Sequence, residues 1–105
     1  MYKVPLKPLS VNDACKGRRF STPEKKEYEI ELRKQLAGTT LTAEAPYEIH
    51  FVFHISSMQD YDNCIKVTQD TICQFYGIND RDFHKAIIEK RIAKRGEEYF
   101  EFDIL

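Results

Sequence analysis

Pro46-Tyr47-Glu48-Ile49-His50-Phe51-Val52-Phe53-His54-Ile55-Ser56 is the stretch that decides the fold. Tyr47, Ile49, Phe51, Phe53 and Ile55 alternate with Glu48, His50, Val52 and His54. Successive side chains of an extended backbone point to opposite faces, so this period of two predicts a strand over 46–56 with the first set on a core. His50 and His54 share the other face, two positions apart along it. Imidazoles in that arrangement can ligate a metal, but polar residues on the opposite face of a sheet are the simpler account.

Upstream, a helix begins near Ser21 to Pro23. Thr22 can serve as N-cap with Pro23 at the first helical position, or Ser21 and Glu24 can form a capping box. Tyr28, Leu32 and Leu36 lie on one face at four-residue spacing, Glu29 and Arg33 form an i,i+4 pair, and Gly38 suits the C-cap. Residues 39–45 connect to the strand. Residues 10–20 read as a loop with Gly17 at its tip, and 1–9, with Pro5 and Pro8, as at best a short edge strand.

Downstream, a second helix is expected from Asp62 or Asn63 to Tyr76, capped by Gly77, with Ile65, Ile72 and Phe75 or Tyr76 on its buried side. Residues 78–82 form a turn and 83–93 a strand. Arg95-Gly96-Glu97 is a hairpin signal, after which 98–104 return with Phe100, Phe102 and Ile104 on one face. The order is β-α-β-α-β-β. The fold class is α+β, with two helices on a small mixed sheet.

The 105 residues make a single domain, 1–105. Hydrophobic residues at 42% exclude the composition of a disordered chain. No apolar run approaches the ~18 residues that span a bilayer. Met1 to Leu9 lacks the apolar stretch of a signal peptide, so a cytoplasmic protein with no membrane partner is expected. Cys15, Cys64 and Cys73 are odd in number and contain no CxxC, which argues against a disulfide framework or a zinc site. The net charge of −1 does not mark a nucleic-acid binder. Its distribution is more informative: Lys16, Arg18, Arg19, Lys25 and Lys26 cluster early, and Lys85, Lys90, Arg91, Lys94 and Arg95 late, where they can track phosphates.

The chemistry concentrates in Asp60-Tyr61-Asp62-Asn63-Cys64-Ile65-Lys66-Val67-Thr68-Gln69-Asp70. In extended chain, residues two apart point the same way, so Asp60 and Asp62 face one point at a strand-to-helix junction. Like charges that close are costly unless a proton or cation lies between them. A hard cation with oxygen ligands, Mg²⁺ where phosphate is present, resolves the conflict. Asp62, Lys66 and Asp70 follow at i, i+4, i+8. An ammonium at Lys66 can offset charge growing on a phosphate, and Asp70 can hold it in place. Asn79-Asp80-Arg81-Asp82 offers further carboxylates. As physics alone, these residues fit a capped helix with an ordinary ion pair as well as they fit a metal-assisted phosphodiesterase.

The order D-x-D-N-x-x-K-x-x-x-D with a later Asp resembles the RusA family of Holliday junction resolvases, small endodeoxyribonucleases of bacteria and their phages. The resemblance covers nearly the whole chain. Pro8-Leu9-Ser10-Val11-Asn12 is similar to the family's opening segment, and Arg18-Arg19-Phe20-Ser21-Thr22 with Tyr28 to its basic loop and first helix. Aligning Glu89-Lys90-Arg91 with the similar family run sets Asn79 and Asp80 on a paired aspartate, Asp80 on the catalytic one. Asn79 departs from that pair, and Asp82 is a candidate to compensate.

The resemblance implies a homodimer that nicks four-way DNA junctions symmetrically, with Mg²⁺ or Mn²⁺ as cofactor, in DNA recombination and repair. It implies Asp60, Asp62 and Asp80 as metal ligands and Lys66 as the catalytic lysine. The DNA contacts expected are Lys16, Arg18 and Arg19 in the early loop, and Lys90, Arg91, Lys94 and Arg95 late. A broader branched-DNA nuclease of phage origin shares all this chemistry, and a junction-binding protein without cleavage shares the fold.

Overall fold

The computed structural model describes residues 1–9, 23–56 and 62–105, with Asp62 and Asn63 placed as backbone. Its elements are β1 (Tyr2–Val4), α1 (Pro23–Leu36), β2 (Tyr47–Ile55), α2 (Asp62–Tyr76), a 3₁₀ turn (Asp80–Asp82), β3 (Phe83–Ile92) and β4 (Tyr99–Ile104). This is the expected α+β order. The choice between caps at Ser21 and Thr22 lies outside the described residues.

The four strands run β1-β4-β2-β3 across one sheet. β2 pairs parallel with β3 and antiparallel with β4, and β4 pairs antiparallel with β1. The expected β3–β4 hairpin is therefore corrected. Lys94 to Glu97 does form a turn, its Glu97 N–H bonding the Lys94 carbonyl at 2.9 Å. That turn carries the chain past the end of β2 to its other edge. The reason lies in β2 itself: Ile49, Phe51, Phe53 and Ile55 are all buried, so this strand gains most from a neighbour on each side. A direct β3–β4 pair would leave it more exposed.

Both helices cover the face of the sheet that carries those residues. Tyr28, Leu32 and Leu36 of α1 and Cys64, Val67 and Ile72 of α2 join Val4, Phe100, Phe102 and Ile104 in one core. Phe51 and Phe53 stack with ring centroids 5.1 Å apart, and Phe100 closes on both. Removal of a ring of this kind costs about 3–5 kcal/mol.

The buried seam of α2 differs in part from the expected one. Cys64, Val67, Thr68, Thr71 and Ile72 are buried, at the i, i+3, i+4, i+7, i+8 positions of one helix face, while Ile65 is only partly covered. Short side chains here let α1 approach closely. The two buried threonines are satisfied: Thr68 meets the Tyr28 hydroxyl at 2.7 Å, and Thr71 Oγ1 donates to the Val67 carbonyl at 2.9 Å.

Candidate functional site

Helix α2 ends in a motif that sets the site. Gly77 has φ +70°. Its N–H bonds the Gln74 carbonyl at 3.3 Å, and the Ile78 N–H reaches back to Cys73 at 3.0 Å. These two bonds are the Schellman pattern, which turns the chain back along the helix it leaves. Asn79 then caps the 3₁₀ turn, its Oδ1 accepting from the Arg81 N–H at 3.1 Å. The result brings Asp80 beside the last turns of α2. Asp70, Cys73, Gln74, Ile78, Asn79 and Asp80 line one shallow cleft of about 170 Å³. A slightly larger cavity, about 190 Å³, is lined by Tyr2, Thr39 to Thr42, Tyr76 and Phe102 to Ile104 and contains a single carboxylate, so the paired acids single out the smaller one.

The electrostatics of the cleft register on Cys73. Burial pushes its thiol up to about 11, and the carboxylates of Asp80 and Asp70 add to the rise. Both aspartates thus act on one point. Gln74 is held by Arg33 of α1, which donates to its Oε1 at 2.9 Å. Lys66 Nζ lies 3.5 Å from Asp70, the pairing expected from their spacing. It is an exposed i,i+4 contact that stabilises the helix by a few tenths of a kcal/mol.

Asp60 lies outside the described residues. Asp62 begins α2, and Cys73 lies eleven residues further along it, about 16 Å at 1.5 Å per residue. Asp80 lines the cleft beside the C-terminal half of α2, whereas Asp62 begins the helix. Within that cleft Asp80 is accompanied by Asp70, which the sequence pattern left in a supporting role. Asp82 is exposed in the 3₁₀ turn and does not line the cleft. Among the described residues no three His, Cys, Asp or Glu side chains converge.

Of the basic residues, Lys16, Arg18 and Arg19 lie outside the described residues. Lys90 and Arg91 face opposite sides of the sheet, since Lys90 pairs with Phe53 and Arg91 with His54. Arg91 is also ion-paired with Glu89. Lys94 and Arg95 are exposed in the turn after β3. Glu98 braces that turn, accepting from the Ser56 hydroxyl at 2.7 Å and the Gly96 N–H at 2.6 Å. Those two bonds hold its carboxyl below the usual range. The Ala93 N–H bonds the Ile55 carbonyl at 3.1 Å, which ties this turn to the end of β2 that leads toward α2.

The open face of the sheet accounts for the two histidines. His50 Nε2 meets Glu48 at 2.6 Å, and Lys85 reaches the same carboxylate at 3.2 Å. His54 Nε2 meets Glu101 at 2.9 Å while its ring stacks on Tyr99 at 3.9 Å. Each imidazole is engaged by a carboxylate of the sheet, as polar residues on such a face are. No helix of the described residues is long and apolar enough to cross a membrane.

Compared with known proteins, the chain matches no family model and no curated protein sequence.

Proposed function

We propose that the chain is a metal-dependent endodeoxyribonuclease that resolves four-way DNA junctions by hydrolysing the phosphodiester backbone. The observation that carries this is the pair of carboxylates in one cleft, Asp70 and Asp80, with Lys66 paired to the first of them. Asp80 and Lys66 are among the residues at which the resemblance to the RusA resolvases puts its chemistry, and Asp70 matches a supporting position of the same motif. A cleft lined by two carboxylates and the amides of Gln74 and Asn79 suits Mg²⁺ or Mn²⁺ in donor type. When bound, such an ion supplies Lewis acidity to the phosphate and acidifies water. Asp60, Asp62 and Asp80 are the ligands proposed, Lys66 the ammonium that offsets charge on the phosphate, and Lys94 and Arg95 part of the surface that positions DNA.

Carboxylates that share one Mg²⁺ each lie about 2 Å from it. The length of α2 between Asp62 and the Asp80 cleft exceeds that reach. That length favours a site that takes Asp62 from one copy of the chain and Asp80 from another, a reading that suits the twofold symmetry of a junction cut on opposite strands.

The test is nicking of a synthetic four-way junction in Mg²⁺ and Mn²⁺, beside Asp62→Asn, Lys66→Ala and Asp80→Asn. Junction nicking by the wild type and its loss in the variants are expected. Equal cutting of plain duplex would replace junction resolution with a broader nuclease. Junction binding without cleavage in either metal would replace it with a binding protein.

A further inference from the structure

We infer that the free edge of β3 is the docking surface for a second copy of this chain, joined antiparallel about a twofold axis at Ile87. β3 ends the sheet, and its outer side pairs with no strand among the described residues. It is ten residues long, contains no proline, and exposes Ile87 at 44%. An unpaired edge of this length offers a row of backbone donors and acceptors for strand addition.

The charge pattern of β3 selects both the occupant and the register. Residues directly opposite in an antiparallel pair share a face of the sheet, so a twofold axis normal to the sheet sets one residue against itself. With Ile87 at the axis, Lys85 faces the partner's Glu89, and Ala86 faces the partner's Ile88. Both pairings occur twice. Phe83 and His84 lie at the register shift that opens β3, so the match is drawn from Lys85 onward. An axis at Ala86 would instead set Lys85 on Ile87. An axis at Ile88 would set Ile87 on Glu89, Ala86 on Lys90 and Lys85 on Arg91. Of these three neighbouring registers, the one at Ile87 matches apolar with apolar and acid with base. Edge lysines ordinarily discourage strand addition, but here each Lys85 meets an opposite charge.

The same pairing matches the ends of the strands. The acidic turn Asp80–Asp82 precedes β3, and the basic turn at Lys94 and Arg95 follows it. Antiparallel alignment brings the acidic end of each copy to the basic end of the other. That end also holds the partner's α2 N-terminus, because β2 and β3 run parallel. The proposal rests on the two-copy reading above only for the expectation of a second copy; its register comes from β3.

The test is the solution mass by sedimentation equilibrium across the micromolar range. Twice the chain mass of 12.4 kDa is expected for the wild type. Lys85→Glu and Glu89→Lys each set like charges against each other and should weaken dimerisation about tenfold or more. The double variant K85E/E89K should restore it. In Ile87→Cys, oxidation should give an intermolecular disulfide at position 87, read by peptide mass. This variant carries the test alone if a charge variant loses its circular dichroism. A monomeric wild type, a dimer indifferent to the charge exchange, or absence of the crosslink at position 87 overturns the proposal. Mass and cleavage are separate readouts. A monomer that cuts junctions removes this interface alone, and a dimer of this register that cuts no DNA removes the nuclease alone.

Discussion

The hydroxyls of Tyr28 on α1 and Thr68 on α2 meet at 2.7 Å inside the protein. The Leu9 backbone also hydrogen-bonds the phenol, and burial raises its pKa well above the ordinary tyrosine value. This contact fixes how the two helices face each other, and so the direction in which α2 presents Lys66 and Asp70. Thr68→Val keeps the shape of the side chain and removes its hydroxyl, leaving the buried Tyr28 hydroxyl with the Leu9 backbone alone. A loss of about 1–3 kcal/mol in urea unfolding is expected. The double variant with Tyr28→Phe should lose less than the two single losses combined, because both singles break the one hydroxyl–hydroxyl contact.

Gly77 controls the approach of Asp80 to the cleft. A Cβ at this position meets nothing within 4 Å, so the cost of Gly77→Ala is that of the left-handed backbone itself. It amounts to about 1–2 kcal/mol in unfolding free energy. Gly77→Asn should cost less, since asparagine tolerates this conformation better. If the two substitutions are equally harmful, the side chain rather than the backbone is at fault.

These contacts show what the sequence made legible. The alternation of Tyr47 to Ile55 specified β2 and its buried face because a period of two needs only local geometry. Gly77 marked the end of α2 for the same reason. The seam of α2 was harder. Thr68 and Thr71 read as polar until their partners are known, one on the other helix and one a turn back along the same helix. The turn at Arg95 to Glu97 was visible, but its chemistry does not say which strands it joins. That depends on how much apolar surface β2 has to cover. Spacing along the chain placed Asp70 with Lys66, whereas the cleft it shares with Asp80 arises from a reversal of direction that no residue count conveys.

On the open face, the His50 hydrogen bond is the largest influence holding Glu48 below its usual pKa, followed by the Lys85 ammonium. His50→Ala and Lys85→Ala should therefore each raise the Glu48 titration in carboxyl NMR. The depressed folded value gives a stabilising contribution that is present above the ordinary glutamate pKa. It is lost as pH falls through the lowered one. A Glu48 titration unchanged in either variant would remove that residue as a cause.

Cys73 reports on the cleft without any DNA. Its thiol is raised from the ordinary 9.0 to about 11, first by burial and then by Asp80 and Asp70. The folded chain keeps this proton where the unfolded chain releases it. The resulting stabilisation is complete below about 9 and disappears as pH rises to about 11. Alkylation of Cys73, followed by peptide mass to separate it from the buried Cys64, should be slow at neutral pH. Asp80→Asn removes one of the two negative charges, so the alkylation profile should move to lower pH. A cation bound by these carboxylates would act in the same direction. Mg²⁺ should then shift the profile of the wild type downward and that of Asp80→Asn much less. A wild-type profile insensitive to Mg²⁺ would separate the cleft from metal binding, whatever the DNA assays show.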